Sequence, residues 1–169
     1  MSELKVTKFP DSILRKKARK VLKVTDAERS TFDEMVKTMY LNQGVGLAAV
    51  QVGIDRQLAV VDTGEGLIKM VNPAIVKREG FETQEEGCLS CPDACVKVRR
   101  ARKIVVSYLN EDGEVAELKA DGLLARVIQH EIDHLGGTLI IDYLSPIKKV
   151  LFKVGRLSRR KKASGKKGD

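Results

Sequence analysis

Residues 121–137 read Asp-Gly-Leu-Leu-Ala-Arg-Val-Ile-Gln-His-Glu-Ile-Asp-His-Leu-Gly-Gly, and they restrict the fold more than any other stretch of the chain. Leu123, Leu124, Val127, Ile128, Ile132 and Leu135 recur at helical spacing, a stripe broad enough to bury the helix, and Gly136-Gly137 stops it. His130 and His134, the only histidines in 169 residues, stand on one face of that helix. Side chains four apart have Cβ atoms about 5–6 Å from each other, so two imidazoles can address one ion. Glu131 lies one step round, where its carboxylate reaches a water rather than the ion itself. H-E-x-x-H on a rigid buried helix is the geometry of a metal-dependent hydrolase, with Glu131 as general base.

Such a site needs a third protein ligand and an open position. After His134 the chain has no His and no Glu, and its only carboxylate side chains are Asp142 and Asp169. The third ligand is therefore expected upstream, as a thiolate from Cys88, Cys91 or Cys95. The same cysteines, spaced C-x2-C-x3-C, could instead join the histidines in a structural Cys2His2 zinc site or part of an iron–sulfur centre. On that reading Glu131 has no chemical task.

A chain of this length fits one domain with a substantial core. No run of 18 apolar residues marks a membrane helix, so no membrane partner is expected. Lys5 and Lys8 are not followed by the apolar run of a signal peptide, which points to a cytoplasmic address and reduced cysteines. The net charge is +8, but residues 147–169 alone carry +9, leaving −1 for everything before them. That basic terminus can serve a polyanion such as RNA, or simply be a solvated end.

The other elements follow from periodicity. Ser12 opens a short helix with Ile13 and Leu14 inward. Thr25 or Asp26 caps a helix of about four turns whose apolar face is Phe32, Met35, Val36, Met39 and Tyr40. Gly44 and Gly46 mark either a tight turn or a close backbone approach to a ligand; a dinucleotide loop is excluded because Ala49 stands where a third glycine is needed. Strands are expected at 58–61, at 68–71 ending in Asn72-Pro73, at 75–76, at 96–98, at 104–109 and, after a hairpin turn at 110–113, at 115–118. Glu79 to Lys103 reads as largely irregular, Thr138 to Ile141 as one more strand, and Ser145-Pro146 as the cap of a last helix. The expected class is α+β: mixed, mainly antiparallel sheets around the central metal helix in one compact domain spanning 1–169, with a basic C-terminal helix and tail at 147–169.

Three blocks, Gly44 to Gln51, Glu86 to Ser90 and Gln129 to Gly136, resemble the three signature motifs of the peptide deformylases in order and spacing. The likeness extends through Asp121-Gly122-Leu123-Leu124 and Asp142-Tyr143-Leu144-Ser145-Pro146, and the length and helical C-terminus resemble the bacterial form. The resemblance implies that Cys88, His130 and His134 hold one divalent ion, Fe(II) foremost, with Zn(II) or Ni(II) as substitutes. It implies hydrolysis of the N-formyl group on the initiator methionine of nascent polypeptides, releasing formate. Glu131 would move the proton, while Gln51 and the backbone N–H of Leu89 stabilise the oxyanion. Val45, Gly46 and Gly87 would bind the peptide. It further implies ribosome docking through the basic C-terminal helix, and a monomer or weak dimer.

The sequence departs from the pattern at several points. Cys91 stands where the motif commonly continues with an aliphatic residue, and Cys95 where many members place an arginine; Lys97, Arg99 or Arg100 could replace that charge. Gln84 and Arg126 fall where relatives line the methionine pocket with aliphatic side chains. A more polar rim and an altered methionine preference are therefore expected, unless Arg126 keeps its guanidinium in solvent. Other readings are an amidohydrolase for a different N-acyl compound and a noncatalytic ribosome-binding protein.

Overall fold

Leu58-Ala-Val-Val61 contains no polar residue, and the computed structural model, which describes residues 4–152, 154 and 155, accounts for it. Alternate side chains of this strand enter different cores. Leu58 and Val60 pack with Phe32, Met35 and Met39, while Ala59 and Val61 pack with Ala125, Ile128 and Leu135. A strand buried on both faces has no solvent side to mark with polar residues.

Five strands form a single sheet in chain order: β1 (Gly46–Ala48), β2 (Leu58–Val61), β3 (Ile68–Glu86), β4 (Val96–Leu109) and β5 (Val115–Asp121). All four pairings are antiparallel. Helix α1 (Asp26–Leu41) covers one face and α2 (Gly122–Leu135) the other. The Thr25 hydroxyl accepts from the Ala27 N–H at 3.3 Å, while Glu28 accepts the Thr25 N–H at 2.9 Å, so the start of α1 is capped reciprocally. The α+β arrangement is the expected one, with a central α2 on an antiparallel sheet.

Three local expectations are corrected. Asn72-Pro73 does not end the third strand. Asn72 adopts φ 52°, and its amide accepts from the Val21 N–H at 2.9 Å and donates to the Val21 carbonyl at 2.7 Å. The register with β4 shifts between Val71 and Ala74, so the strand passes through a bulge, a place where proline is tolerated. Residues 79–86 and 99–103 are not irregular; together with the strand expected at 96–98 they pair as far as Glu86↔Val96. The extended form of 79–86 was hidden because 76–85 is exposed throughout and has no buried face to set a period of two.

Thr138 to Ile141 is not a strand. Leu139, Ile140 and Ile141 are all buried, and the backbone turns through a 3-10 helix at Ile140–Tyr143. Asp142 organises it by accepting from the Leu139 N–H at 2.9 Å and pairing with Arg15. Gly137, at φ 80°, lets the N-terminal segment press in: a Cβ there would lie 2.6 Å from the Arg15 carbonyl oxygen.

The last helix begins at Pro146, after Ser145 as expected, and Phe152 tilts against Phe9 with ring centroids 6.3 Å apart. Residues 156–169, with most of the basic terminus, lie outside the described residues. Among those described, no helix is long and apolar enough to cross a membrane.

Candidate metal centre

Helix α2 carries both histidines toward the segment that follows β3. There Cys88 Sγ lies 3.2 Å from His134 Nε2, which lies 3.2 Å from His130 Nε2. The three ligand atoms fall within 4.8 Å of one another, and no other such group of three occurs among the described residues. Bonds of about 2.0–2.3 Å from a tetrahedral ion imply ligand-to-ligand edges of roughly 3.3–3.6 Å. One thiolate and two imidazoles converging at this spacing suit a transition-metal ion or zinc, and the donor set fits the metal that the motif implies.

Cys88 is the cysteine the fold selects. Its thiol is held far below the ordinary range, most of all by a hydrogen bond from Cys91 and further by the histidines, although burial opposes this. Cys91 is fully buried among Phe9, Leu14 and Leu139, and Cys95 is exposed with its sulfur 3.7 Å from Glu85. The Cys2His2 zinc and iron–sulfur arrangements are thus not what the described residues form.

Behind His130 stands Glu86. His130 Nδ1 lies 3.1 Å from Glu86 Oε2, which leaves Nε2 as the atom turned toward Cys88 and His134. Arg100 donates to both oxygens of Glu86 at 2.6 and 2.9 Å, and Arg126 adds a third bond at 2.7 Å. Burial alone would raise this carboxyl, but the bonds from His130, Arg100 and Arg126 hold it down to about 2. Arg100 also reaches Asp133 at 2.9 Å, and Asp133 accepts from Tyr143 at 2.7 Å.

Glu131 is the opposite case. It is buried, its Oε2 has no partner, and burial pushes its carboxyl up against the pull of His130 and His134. Glu131 Oε2 and His134 Nδ1 are the two buried side-chain polar atoms left unpaired among the described residues, and both belong to this centre. Gly46 explains how the carboxylate fits. A Cβ there would overlap Glu131 Oε1 and sit 2.7 Å from Val127 Cγ1. The glycine serves close approach between β1 and α2.

A cavity of about 450 Å³ opens on the centre. Glu131, His130, Cys88, Gln51, Leu89, Val45, Gly46, Gly87 and Arg126 all line it, while His134 is buried outside that lining. Gln51 is locked in direction: its Oε1 accepts from the Ala48 N–H at 2.7 Å, and its Nε2 faces Ser90 Oγ at 3.3 Å and Cys88 Sγ at 3.8 Å.

Two pocket expectations change. Gln84 is exposed on β3 and is not part of the cavity wall. Arg126 does not hold its guanidinium in solvent; besides Glu86 it donates to the carbonyls of Val98 and Glu82, each at 3.1 Å. Arg100 is likewise committed inward, and Arg99 stacks over Phe81 at 4.4 Å. Sequence reasoning missed the supporting role of Glu86 with its arginines. It also missed Lys8, which lines the cavity and donates to the Leu89 carbonyl at 2.7 Å. Glu86 opens one of the family-like blocks, but nothing local in the sequence marks the role of either residue.

A Cys-His-His donor set beside a partnerless buried carboxylate, opening on one cavity, defines a metal-dependent hydrolase. A family model for polypeptide deformylase matches residues 3–150. A peptide deformylase of Halothermothrix orenii is 50% identical over 144 residues, covering 84% of this chain and 94% of that protein. One from Tolumonas auensis is 44% identical over 167 residues, covering 96% and 100%. The crystal structure of a peptide deformylase from Legionella pneumophila matches with a TM-score of 0.89 at 39% identity, covering 98% and 99%. The chain belongs to the peptide deformylase family, whose activity is the metal-dependent removal of N-formyl groups.

Proposed function

We propose that Cys88, His130 and His134 hold one divalent ion, Fe(II) foremost and Zn(II) or Ni(II) as substitutes, and that Glu131 moves the proton in deformylation of nascent polypeptides. When bound, the ion supplies Lewis-acid activation of water and of the formyl carbonyl. Glu131 accepts the proton of the attacking water and returns it to the leaving amine as formate departs. Its raised affinity for a proton suits both halves of that exchange. Gln51 Nε2 and the Leu89 N–H donate to the oxygen on which negative charge develops. Val45, Gly46 and Gly87 present backbone to the peptide chain, which lets one site serve many sequences.

The observation that carries this reading is the partnerless Oε2 of Glu131, held in the cavity beside three convergent ligand atoms. The test is formate release from formyl-Met-Ala-Ser by anaerobically purified, Fe(II)-loaded protein, with Glu131→Gln alongside. Formate from the wild type alone is expected, and undiminished turnover by the variant overturns the assignment.

The three free cysteines accord with a reducing compartment, and we place the reaction in the cytoplasm. Ribosome docking through 147–169 completes the proposal, although residues 156–169 lie outside those described. Unchanged ribosome cosedimentation of a chain lacking 147–169 removes it.

A further inference from the structure

Cys88 has a second thiol directly behind it. Cys88-Leu-Ser-Cys91 closes a turn in which the Cys91 N–H donates to the Cys88 carbonyl at 3.0 Å. Such turns hold their end Cα atoms within about 7 Å, close to the 4.4–6.8 Å or so that disulfides span. The two residues meet at one apolar cluster with Phe9, Leu14 and Leu139, Cys91 inside it and Cys88 packed against it. C-x-x-C in a turn is also a spacing used for thiol–disulfide chemistry.

Access to the two sulfurs is ordered. Cys88 is half-buried and lines the cavity, whereas Cys91 is completely buried. A small oxidant entering the cavity meets Cys88 first, with Cys91 waiting on its inner side. Cys95, exposed and facing Glu85, is separate from the pair.

We propose that Cys88 and Cys91 form a reversible oxidation site for hydrogen peroxide, in which a disulfide between them withdraws Cys88 from the metal centre. The withdrawal rests on the reading of Cys88 as a metal ligand. In the first step the Cys88 thiolate attacks one peroxide oxygen, the O–O bond breaks, and the leaving hydroxide takes a proton from solvent and departs as water. This leaves Cys88 as a sulfenic acid. In the second step the Cys91 sulfur attacks Cys88, the S–O bond breaks, and a second water leaves with the Cys91 proton. The two sulfurs have together lost two electrons and, with one proton from solvent, one peroxide has become two waters. Without Cys91, the sulfenic acid has no resolving thiol beside it and proceeds to sulfinic and sulfonic acids, which reductant does not reverse.

The test exposes Zn(II)-loaded full-length protein to stoichiometric hydrogen peroxide, with Cys91→Val, Cys91→Ser and Cys95→Ser in parallel. Intact mass, peptide mapping and zinc retained after gel filtration are read before and after dithiothreitol. The wild type and Cys95→Ser are expected to lose two hydrogens, mapped to a Cys88–Cys91 disulfide, and one zinc per disulfide. Reductant with fresh zinc restores both. Cys91→Val gains oxygens on Cys88 irreversibly, and the near-isosteric Cys91→Ser carries the comparison if the valine variant misfolds.

Irreversible oxygen addition to Cys88 in the wild type overturns the proposal. So does a disulfide to Cys95 that Cys95→Ser abolishes. Disulfide formation with zinc fully retained overturns the ligand reading, and with it the withdrawal, independently of the thiol chemistry.

Discussion

Glu86 and Glu131 are buried carboxylates on either side of His130, and they are handled in opposite ways. Glu86 closes β3 where Arg100 of β4, Arg126 of α2 and His130 converge, so every part of its charge is answered. Glu131 faces Gly46 across the cavity wall with one oxygen unanswered. The first is kept ionised as part of the support for a ligand; the second is kept able to exchange a proton. Environments that push two carboxyls apart in proton affinity are how one site assigns structural and acid–base duties to the same residue type.

The largest expected effect separates the two directly. Glu131→Gln should lower kcat for formyl-peptide hydrolysis by roughly 10²–10⁴-fold, the usual worth of general acid–base catalysis. Its thermal midpoint should stay level or rise, because a neutral amide replaces a buried carboxylate with an unpaired oxygen. A variant that loses midpoint as steeply as activity would erase the contrast.

Glu86→Gln should do the reverse. Arg100 and Arg126 would lose their buried anion, a loss on the order of 3–5 kcal/mol of stability by chemical denaturation. Metal affinity should fall about 10–100-fold, because His130 loses the partner that orients it. Wild-type stability and metal retention in this variant would reduce Glu86 to an ordinary buried polar residue.

Acid sharpens the same contrast. The carboxyl of Glu86 moves from an ordinary 4.5 down to about 2 in the folded chain. A depressed carboxyl contributes stability that is fully present above the ordinary value and is lost as pH falls toward the folded one. The metal-free wild type should therefore lose thermal midpoint between about pH 4.5 and 2, and Glu86→Gln should lose less across that window. Glu131 has the opposite sign. Its raised affinity favours the folded state at low pH, an advantage lost as pH rises through its folded value. Parallel midpoint curves for wild type and Glu86→Gln would contradict the assignment.

What the sequence revealed divides along the same line. His130, Glu131 and His134 were legible because their relation is local: one helix with a dense apolar stripe fixes who stands beside whom. Cys88 could not be told from Cys91 and Cys95 by spacing, and only the resemblance to a family chose it. The fold makes that choice by burying Cys91 in an apolar cluster and leaving Cys95 at the surface. Glu86 opens one of the family-like blocks, but its supporting role could not be read there, since that role comes from arginines 14 and 40 residues away. Residues 138–141 misled because a short apolar run fits a strand and a buried 3-10 turn equally well, and Asp142 with Arg15 decides between them.

The smallest effect probes a residue that binds Glu86 and shares the cavity wall with Glu131. Arg126 lines the cavity, yet its guanidinium is bound by Glu86 and by the carbonyls of Val98 and Glu82, so the rest of its side chain is what remains to meet substrate. We infer that it shapes selectivity by volume more than by charge. Arg126→Leu should change the ratios of kcat/KM among formyl-Met, formyl-Leu and formyl-Ala peptides by roughly tenfold, the scale set by a methylene or two in a pocket. The wild type should rank these peptides less steeply than the variant, whose leucine restores an aliphatic wall. Glu86 retains Arg100 in this variant, so it should remain folded and metal-loaded. An identical and steep methionine preference in both proteins would remove Arg126 from selectivity and leave it solely as a support of Glu86.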